Sequence, residues 1–177
     1  PGGHIFEDMR VEIQPPREGS SGKLKLFPVG VADEFEALRQ SEGTTDDYTH
    51  QLISFRSRYV LNSFGRNLPA LRDKSGTTNH ANIHPADLDK LGIGEDEEIV
   101  IHSQYGSIPA VSKANDRIKP GVVAMHHCWG TSPGQQAPVR EVGSNTNLLV
   151  DGNNVLQGFT AMIPSSGIPI NISVGNK

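Results

Sequence analysis

The stretch that most constrains this chain runs from Asn82 to Gly106, NIHPADLDKLGIGEDEEIVIHSQYG. Pro85 suits a first helical position, because proline presets φ and lacks an N–H that the helix could not use there. Leu88 and Leu91 fall three apart and share one helical face. Gly92 stands where a helix stops in the left-handed conformation. After Ile93, Gly94 and the four acids Glu95 to Glu98, the β-branched run Ile99-Val100-Ile101 suits a buried strand, and Gly106 ends it. The stretch predicts a strand end, one or two helical turns, a tight turn and a strand. This is a β-α-β piece from which a barrel can be built, and it holds no catalytic device. A disruptive change such as Gly92→Val is expected to unfold the domain rather than weaken ligand binding selectively.

The rest of the composition agrees with a turn-rich chain. Nineteen Gly and twelve Pro favour short strands over long helices. At 177 residues and 35% hydrophobic content, the chain can build one domain with a modest core behind a long leader. The formal net charge of -4 argues against non-specific nucleic-acid or acidic-membrane binding. No apolar run approaches the ~20 residues of a transmembrane helix, and the start lacks a signal-peptide pattern. Cys128 is the single cysteine, so no internal disulfide forms and a reducing cytoplasm is the default expectation, with the periplasm left open. The chain opens with Pro1-Gly2-Gly3 rather than Met, as expected of a piece of a larger protein.

Residues 1–48 read as a leader, the end of a preceding domain and a linker. Arg10 to Ile13 and Lys23 to Phe27 alternate as a hairpin or the tail of another domain would. Asp33 to Gln40 reads as a helix capped by Asp33, with Glu36 completing the cap and Phe35 and Leu38 on one face. Ser41 to Thr49 is polar and reads as linker. The barrel domain is placed at residues 49–177. Within it Gln51 to Phe55, Ile99 to Ser103, Ile108 to Ser112, Val122 to Met125 and Gly167 to Val174 are strand candidates. The second and third of these read as a hairpin. Ile118-Lys119-Pro120-Gly121 reads as a turn of type II. Gly130 to Gly143 has no regular period and reads as a loop.

Four of the nine arginines, Arg56, Arg58, Arg66 and Arg72, fall between Tyr48 and Arg72, a span without an acid. Two readings stay open: a phosphate-bearing ligand held by Arg with Ser and Asn beside it, or a solvated or subunit-facing surface. Glu95 to Glu98 read as a solvated turn, since they lack the alternating ligand spacing of a calcium loop. His126, His127 and Cys128 have the chemistry of a zinc ligand set or a Cys–His pair. Adjacent residues on a strand point to opposite faces, however, so convergence on one atom is not expected. A strand end lining a ligand is the better fit. Asn145 and Asn147 suit either the reading of a base or pterin edge or an Asx-turn that organises backbone.

These pieces occur in one order: LISFRSRYVLNSFGR, NIHPADLDKLGIGEDEEIVIHSQYGSI, IKPGVVAMHHCWG and GSNTNLLVD. Together they resemble the C-terminal molybdopterin-dinucleotide-binding domain of the dimethyl sulfoxide reductase / formate dehydrogenase family of molybdenum oxidoreductases, over about residues 49–175. The resemblance implies a mainly β fold, a six-stranded double-psi β-barrel of the aspartate-decarboxylase-like type with a few short helices. It implies binding of molybdopterin guanine dinucleotide. The family's Thr-Gly-Arg motif is matched by Ser54-Phe55-Arg56, with Phe55 in the glycine's place. Its His-rich turn is matched by Val60-Leu61-Asn62-Ser63, with Val60 in the histidine's place. Its late Asn-x-Leu-Thr is matched by Asn147 to Val150. The implied cofactor contacts are Ser54, Arg56, Ser57, Arg58, Asn62, Ser63, His127, Asn145 and Asn147. The late Lys or Arg of many members has no counterpart between Asp151 and Asn176.

The expected function follows: a cofactor-binding domain of an oxidoreductase catalytic subunit, inert alone, with no catalytic or metal-ligating residue of its own. Molybdenum or tungsten is expected in other domains of the same subunit, and an iron–sulfur cluster only upstream. Two alternatives stand beside it: a stand-alone accessory subunit of a pterin enzyme, or a barrel used for substrate recognition or protein interaction.

Overall fold

The computed structural model describes residues 14–23, 26–27, 30–40, 47–132, 134–135, 137–153 and 161–175. Six strands close into a barrel: β1 (His50–Phe55), β2 (Ala81–Ile83), β3 (Glu98–His102), β4 (Ser107–Ala114), β5 (Val122–His126) and β6 (Ile168–Val174). Around the barrel the order is β1-β5-β2-β4-β3-β6, with β6 returning to β1. Two neighbouring pairs, β1–β5 and β2–β4, run parallel. Parallel strands cannot be joined by a tight turn, so each pair needs a long crossover. These crossovers separate residues that touch in space by tens of positions in sequence, and they give the double-psi barrel its interlocked form.

Period-two alternation fills the interior. Leu52, Ile99, Ile101, Ile108, Ala110, Val123, Met125, Ile168, Ile170 and Ile172 form one buried cluster with Ala81 and Ile83. Leu88, Ile93 and Leu149 belong to the same cluster. Their burial is the main favourable term for a barrel of such short strands.

The Asn82–Gly106 stretch forms as expected. Helix α3 (Pro85–Leu91) carries Pro in its first turn. His84 caps it, Nδ1 accepting from the Ala86 N–H at 3.1 Å. Gly92 ends it with φ 66° and ψ 31°. Strands β3 and β4 pair antiparallel, with His102 opposite Ser107 across the Gly106 turn. Gly106 is required there, because an added Cβ would lie 2.5 Å from the Leu148 carbonyl oxygen. The Lys119–Val122 turn closes with a 3.1 Å bond from the Val122 N–H and places Gly121 at φ 79°.

Three sequence expectations are corrected. Helix α1 spans Val31–Gln40, and its first bond runs from the Glu34 N–H to the Gly30 carbonyl. Gly30 thus holds the capping position, and Asp33 lies in the first turn, where its charge suits the helix dipole. The Gly130–Gly143 segment is not wholly irregular, since α4 (Val139–Val142) forms one turn and buries Val139. Helix α2 (Pro69–Ser75), begun at a proline, went unanticipated. Residues 10–13, the centre of the Lys23–Phe27 run and 41–46 lie outside the described residues. Among the described residues, no helix is long and apolar enough to cross a membrane.

Candidate functional site

Strands β1 and β5 end side by side, with Phe55 opposite His126. The loops that follow them, 56–68 and 127–138, therefore leave the same edge of the barrel. A chain of hydrogen bonds joins them. The Ser54 Oγ lies 3.0 Å from His127 Nδ1. His127 Nε2 lies 3.0 Å from Asn62 Oδ1, and Arg56 Nη1 donates to the same oxygen at 2.5 Å.

The roles in this chain are determined by chemistry. A guanidinium only donates, so the Asn62 atom it meets acts as an acceptor. The same atom then accepts from His127 Nε2–H. That leaves Nδ1 of the neutral ring to accept the Ser54 hydroxyl proton. Asn62 reaches this position with φ 54°, a left-handed conformation that Asn tolerates better than most residues. The backbone N–H of Ser54 donates to Ser166 Oγ at 2.9 Å, which ties the approach to β6 to the same edge. His126 packs its ring 4.0 Å from Phe55. Burial pushes its pKa down, a bond to the Phe55 backbone partly offsets this, and His127 pushes it further down.

Asn147 meets His127 across a cavity of about 260 Å³ that Thr146, Val150, Ile163 and Ser165 also line. Asn147 lies in a short 3₁₀ turn, Thr146–Leu149, whose buried anchor is Leu149. Asn145 serves the backbone. Its Oδ1 accepts from the Asn147 N–H at 3.1 Å, and its Nδ2 donates to the Thr131 carbonyl at 3.2 Å. Of the two readings offered by the sequence, Asn145 thus adopts the Asx-turn and Asn147 is left facing the cavity. Ser57 Oγ likewise accepts from the Tyr59 N–H at 3.2 Å. Arg58 and Ser63 are exposed and make no side-chain hydrogen bond among the described residues.

Residues that the sequence did not single out hold these parts in place. Asn79 is 1% exposed. Its Nδ2 donates to the carbonyls of His126 at 2.7 Å and Ser144 at 3.0 Å, and its Oδ1 accepts from the Ser144 N–H at 2.6 Å. One amide thus joins the end of β5 to the turn that carries Asn145 and Asn147. Gly143 (φ 75°) must be glycine for this contact, since a Cβ would lie 2.5 Å from Asn79 Oδ1. No local periodicity marks an Asn with such a role.

Arg66 donates to the Cys128 carbonyl at 2.9 Å and lies 5.8 Å over the Trp129 ring. It lines a separate polar cavity of about 350 Å³ with Arg72, Asn67, Trp129, Ser132 and Glu141. Arg140 is committed elsewhere, to Asp96 at 3.0 Å and Glu98 at 2.9 Å, so it braces the acidic turn. His127 and Cys128 do not converge with a third ligand. Among the described residues, no group of three or more His, Cys, Asp or Glu could hold a metal ion.

The donor set at this edge suits an anionic, edge-presenting ligand. Arg56 supplies a charged donor, Asn147 a two-way amide, and His127 a ring whose polarity its neighbours set. The closed barrel and its two-loop edge define a β-barrel ligand-binding domain of the kind that grips a large polar cofactor. The chain belongs to the family of the "Molydopterin dinucleotide binding domain", whose profile matches residues 51–162, and within it to the dimethyl sulfoxide reductase family.

A Halobacterium salinarum protein described as a "Putative dimethyl sulfoxide reductase catalytic subunit" is 32% identical over 126 residues. That match takes in 70% of this chain and 14% of the relative, so this chain spans a small part of that protein's length. The structure of acetylene hydratase from Pelobacter acetylenicus matches with a TM-score of 0.58 at 18% identity, covering 73% of this chain and 19% of that one. At that identity the likeness concerns the fold.

Proposed function

We propose that this chain binds the guanine form of the molybdopterin dinucleotide at the edge where β1 and β5 end, and that the barrel alone turns over no substrate. The observation that carries this reading is the Ser54–His127–Asn62–Arg56 chain, which orients donors from two loops toward one edge. Arg56 and Asn62 would hold the dinucleotide's charged and polar groups, and Asn147 with His127 would face it across their shared cavity. When bound, the metal–pterin group supplies the redox chemistry, while the protein supplies binding and orientation. Molybdenum or tungsten, and any iron–sulfur cluster, belong in this reading to other domains of the catalytic subunit. Leu61 and Phe64 favour such neighbours, being 67% and 72% exposed on the loop beside the site. The barrel domain starts at residue 49 in this reading, where the Thr49 N–H donates to Asn171 of β6 at 3.0 Å.

Titration with guanosine, adenosine and cytidine 5′-diphosphates, followed by backbone amide shifts, tests it. Shifts at Arg56, Asn62, His127 and Asn147 that saturate at lower concentration with guanosine are expected. Equal responses to all three bases would remove the guanine preference. Shifts scattered elsewhere would remove the site. Turnover of an oxyanion or of formate by this chain alone would overturn its inertness.

A further inference from the structure

We infer that the cavity formed by Arg66, Arg72 and Trp129 is a phosphoryl-anion site, separate from the Ser54–His127 edge. It rests on the proposed function only for the source of the anion. The cavity, of about 350 Å³, collects donors from three segments. Arg66 and Arg72 come from the loop after β1 and from α2. Trp129 and Ser132 come from the loop after β5. Asn67 lies beside Arg66.

Three features point to an anion rather than to a solvated surface. First, neither arginine forms an ion pair among the described residues, although Glu141 also lines the cavity. Second, Arg66 is held in place: it is half-buried, it lies over the Trp129 ring, and one of its five N–H groups is fixed on the Cys128 carbonyl. A fixed guanidinium presents its remaining fork without the ordering cost that a free arginine carries. Third, the Trp129 indole N–H is buried and has no acceptor. An indole nitrogen is a donor only, so its missing partner is an acceptor, and an oxygen ligand in the cavity that Trp129 lines would supply one. The backbone adapts to this arrangement, with Cys128 at φ 64° and Gly130 at φ 81°. Gly130 packs so closely that a Cβ would lie 2.5 Å from the Asn145 backbone nitrogen. The strained turn thus sets Trp129 between the Arg66 cavity and the Asn79–Ser144 junction.

The ligand is a phosphate or pyrophosphate group. Its source is either the dinucleotide or a free oxyanion. Trp129 is the chain's single tryptophan, so its fluorescence and its indole N–H resonance are read without overlap from another tryptophan. Inorganic pyrophosphate added at constant ionic strength should shift the indole resonance and saturate. Arg66→Gln should weaken that response by about tenfold or more, since a charge-assisted bond is lost. Arg66→Lys should recover part of it. Glu141→Gln should tighten it, a gain that a merely structural role for the cavity would not produce. Arg117→Gln, which removes one positive charge outside the cavity, should leave it unchanged.

Guanosine 5′-diphosphate separates the sources. If Trp129 and Asn147 respond to it together, the anion is the dinucleotide's. If Trp129 responds only to pyrophosphate, the site takes a free oxyanion. An indole resonance that ignores both ligands, or one that responds identically in Arg66→Gln, would overturn the inference. The cofactor reading would survive that result if Arg56, Asn62 and Asn147 still responded to the nucleotide. It would fall on its own if they did not.

Discussion

The Ser54 hydroxyl and the His127 imidazole meet at 3.0 Å, although 73 positions separate them in sequence. They meet because β1 and β5 are parallel neighbours in register, with Ser54 opposite Met125 and Phe55 opposite His126. The contact joins the two stretches of sequence that carry most of the implied cofactor residues. What each residue does at this edge then depends on the next partner in the chain, Asn62.

Asn62 gives the cleanest test of that edge. Asn62→Gly keeps the left-handed backbone and removes the oxygen shared by Arg56 and His127. Stability should change by no more than about 1 kcal/mol, because the lost bonds are exposed and glycine relieves the strained φ. Affinity for guanosine 5′-diphosphate should fall about tenfold. Isothermal titration beside a urea unfolding curve measures both. Unchanged affinity would mean that Arg56 and His127 do not need Asn62 to be oriented.

Asn79→Ala should act on stability instead. It leaves the His126 carbonyl and both backbone groups of Ser144 without this partner in the interior. Buried unpaired groups of this kind cost about 1–3 kcal/mol each, so a loss of about 3 kcal/mol or more is expected in urea unfolding. A loss below about 1 kcal/mol would show that the junction between β5 and the Asn145 turn is held by other contacts.

Substitutions at two positive-φ glycines should differ in cost. At Gly92 an added Cβ meets nothing within 4 Å, so only the left-handed backbone objects. Gly92→Val should therefore cost about 2 kcal/mol and leave the domain folded, in contrast to the unfolding expected from sequence. At Gly143 the backbone (φ 75°, ψ -164°) is one that only glycine adopts readily, and an added Cβ would also lie 2.5 Å from Asn79 Oδ1 and 3.0 Å from the Trp129 ring. Gly143→Val should cost about 3 kcal/mol or more. Thermal or urea unfolding that reversed this order would refute the close packing at Gly143.

Acid should destabilise the fold through its buried and half-buried histidines. At the opposite end of β1, His50 is 5% exposed and its Nε2 lies 3.8 Å from Asp87 Oδ2. Burial lowers its pKa; Asp87 opposes this and Lys90 adds to it. His80 and His126 are also lowered, chiefly by burial. A histidine with a lowered folded pKa binds fewer protons folded than unfolded. Stability is thus full above the unfolded value near 6.5 and falls as pH drops from there toward the folded value. His50→Gln should flatten the decline between about pH 7 and pH 5 in urea midpoints measured across that range. An unaltered slope would assign the decline to other groups.

Much of the barrel was legible because its signals are local. The β-branched runs at Ile99–Ile101 and Ile168–Ile172, the helix stop at Gly92 and the Pro120–Gly121 turn each follow from neighbouring residues. Resemblance then supplied the closed six-stranded form, which no single stretch specifies. At the site, Ser54, Arg56 and Asn62 were named from motif positions and His127 from its place at a strand end, and the fold brings them into one hydrogen-bonded chain. Asn79 carried no such mark. A buried Asn that ties two distant turns has the same local context as one in solvent. Asn145 and Asn147 were indistinguishable too, until the backbone turned one inward and left the other facing the cavity.

The sequence by itself determined the elements: where strands run, where helices stop, and which residue types can meet a phosphate or a base edge. These depend on φ preferences and on period-two or helical spacing, which act over a few residues. Only the tertiary structure decided which of those residues share an edge. The parallel pairing of β1 with β5 sets His127 beside Ser54, and Asn79 fixes Ser144 against the end of β5. Such contacts arise from long crossovers, and the hydrogen-bonding capacity of an Asn or His does not specify its partner until the chain has closed around it.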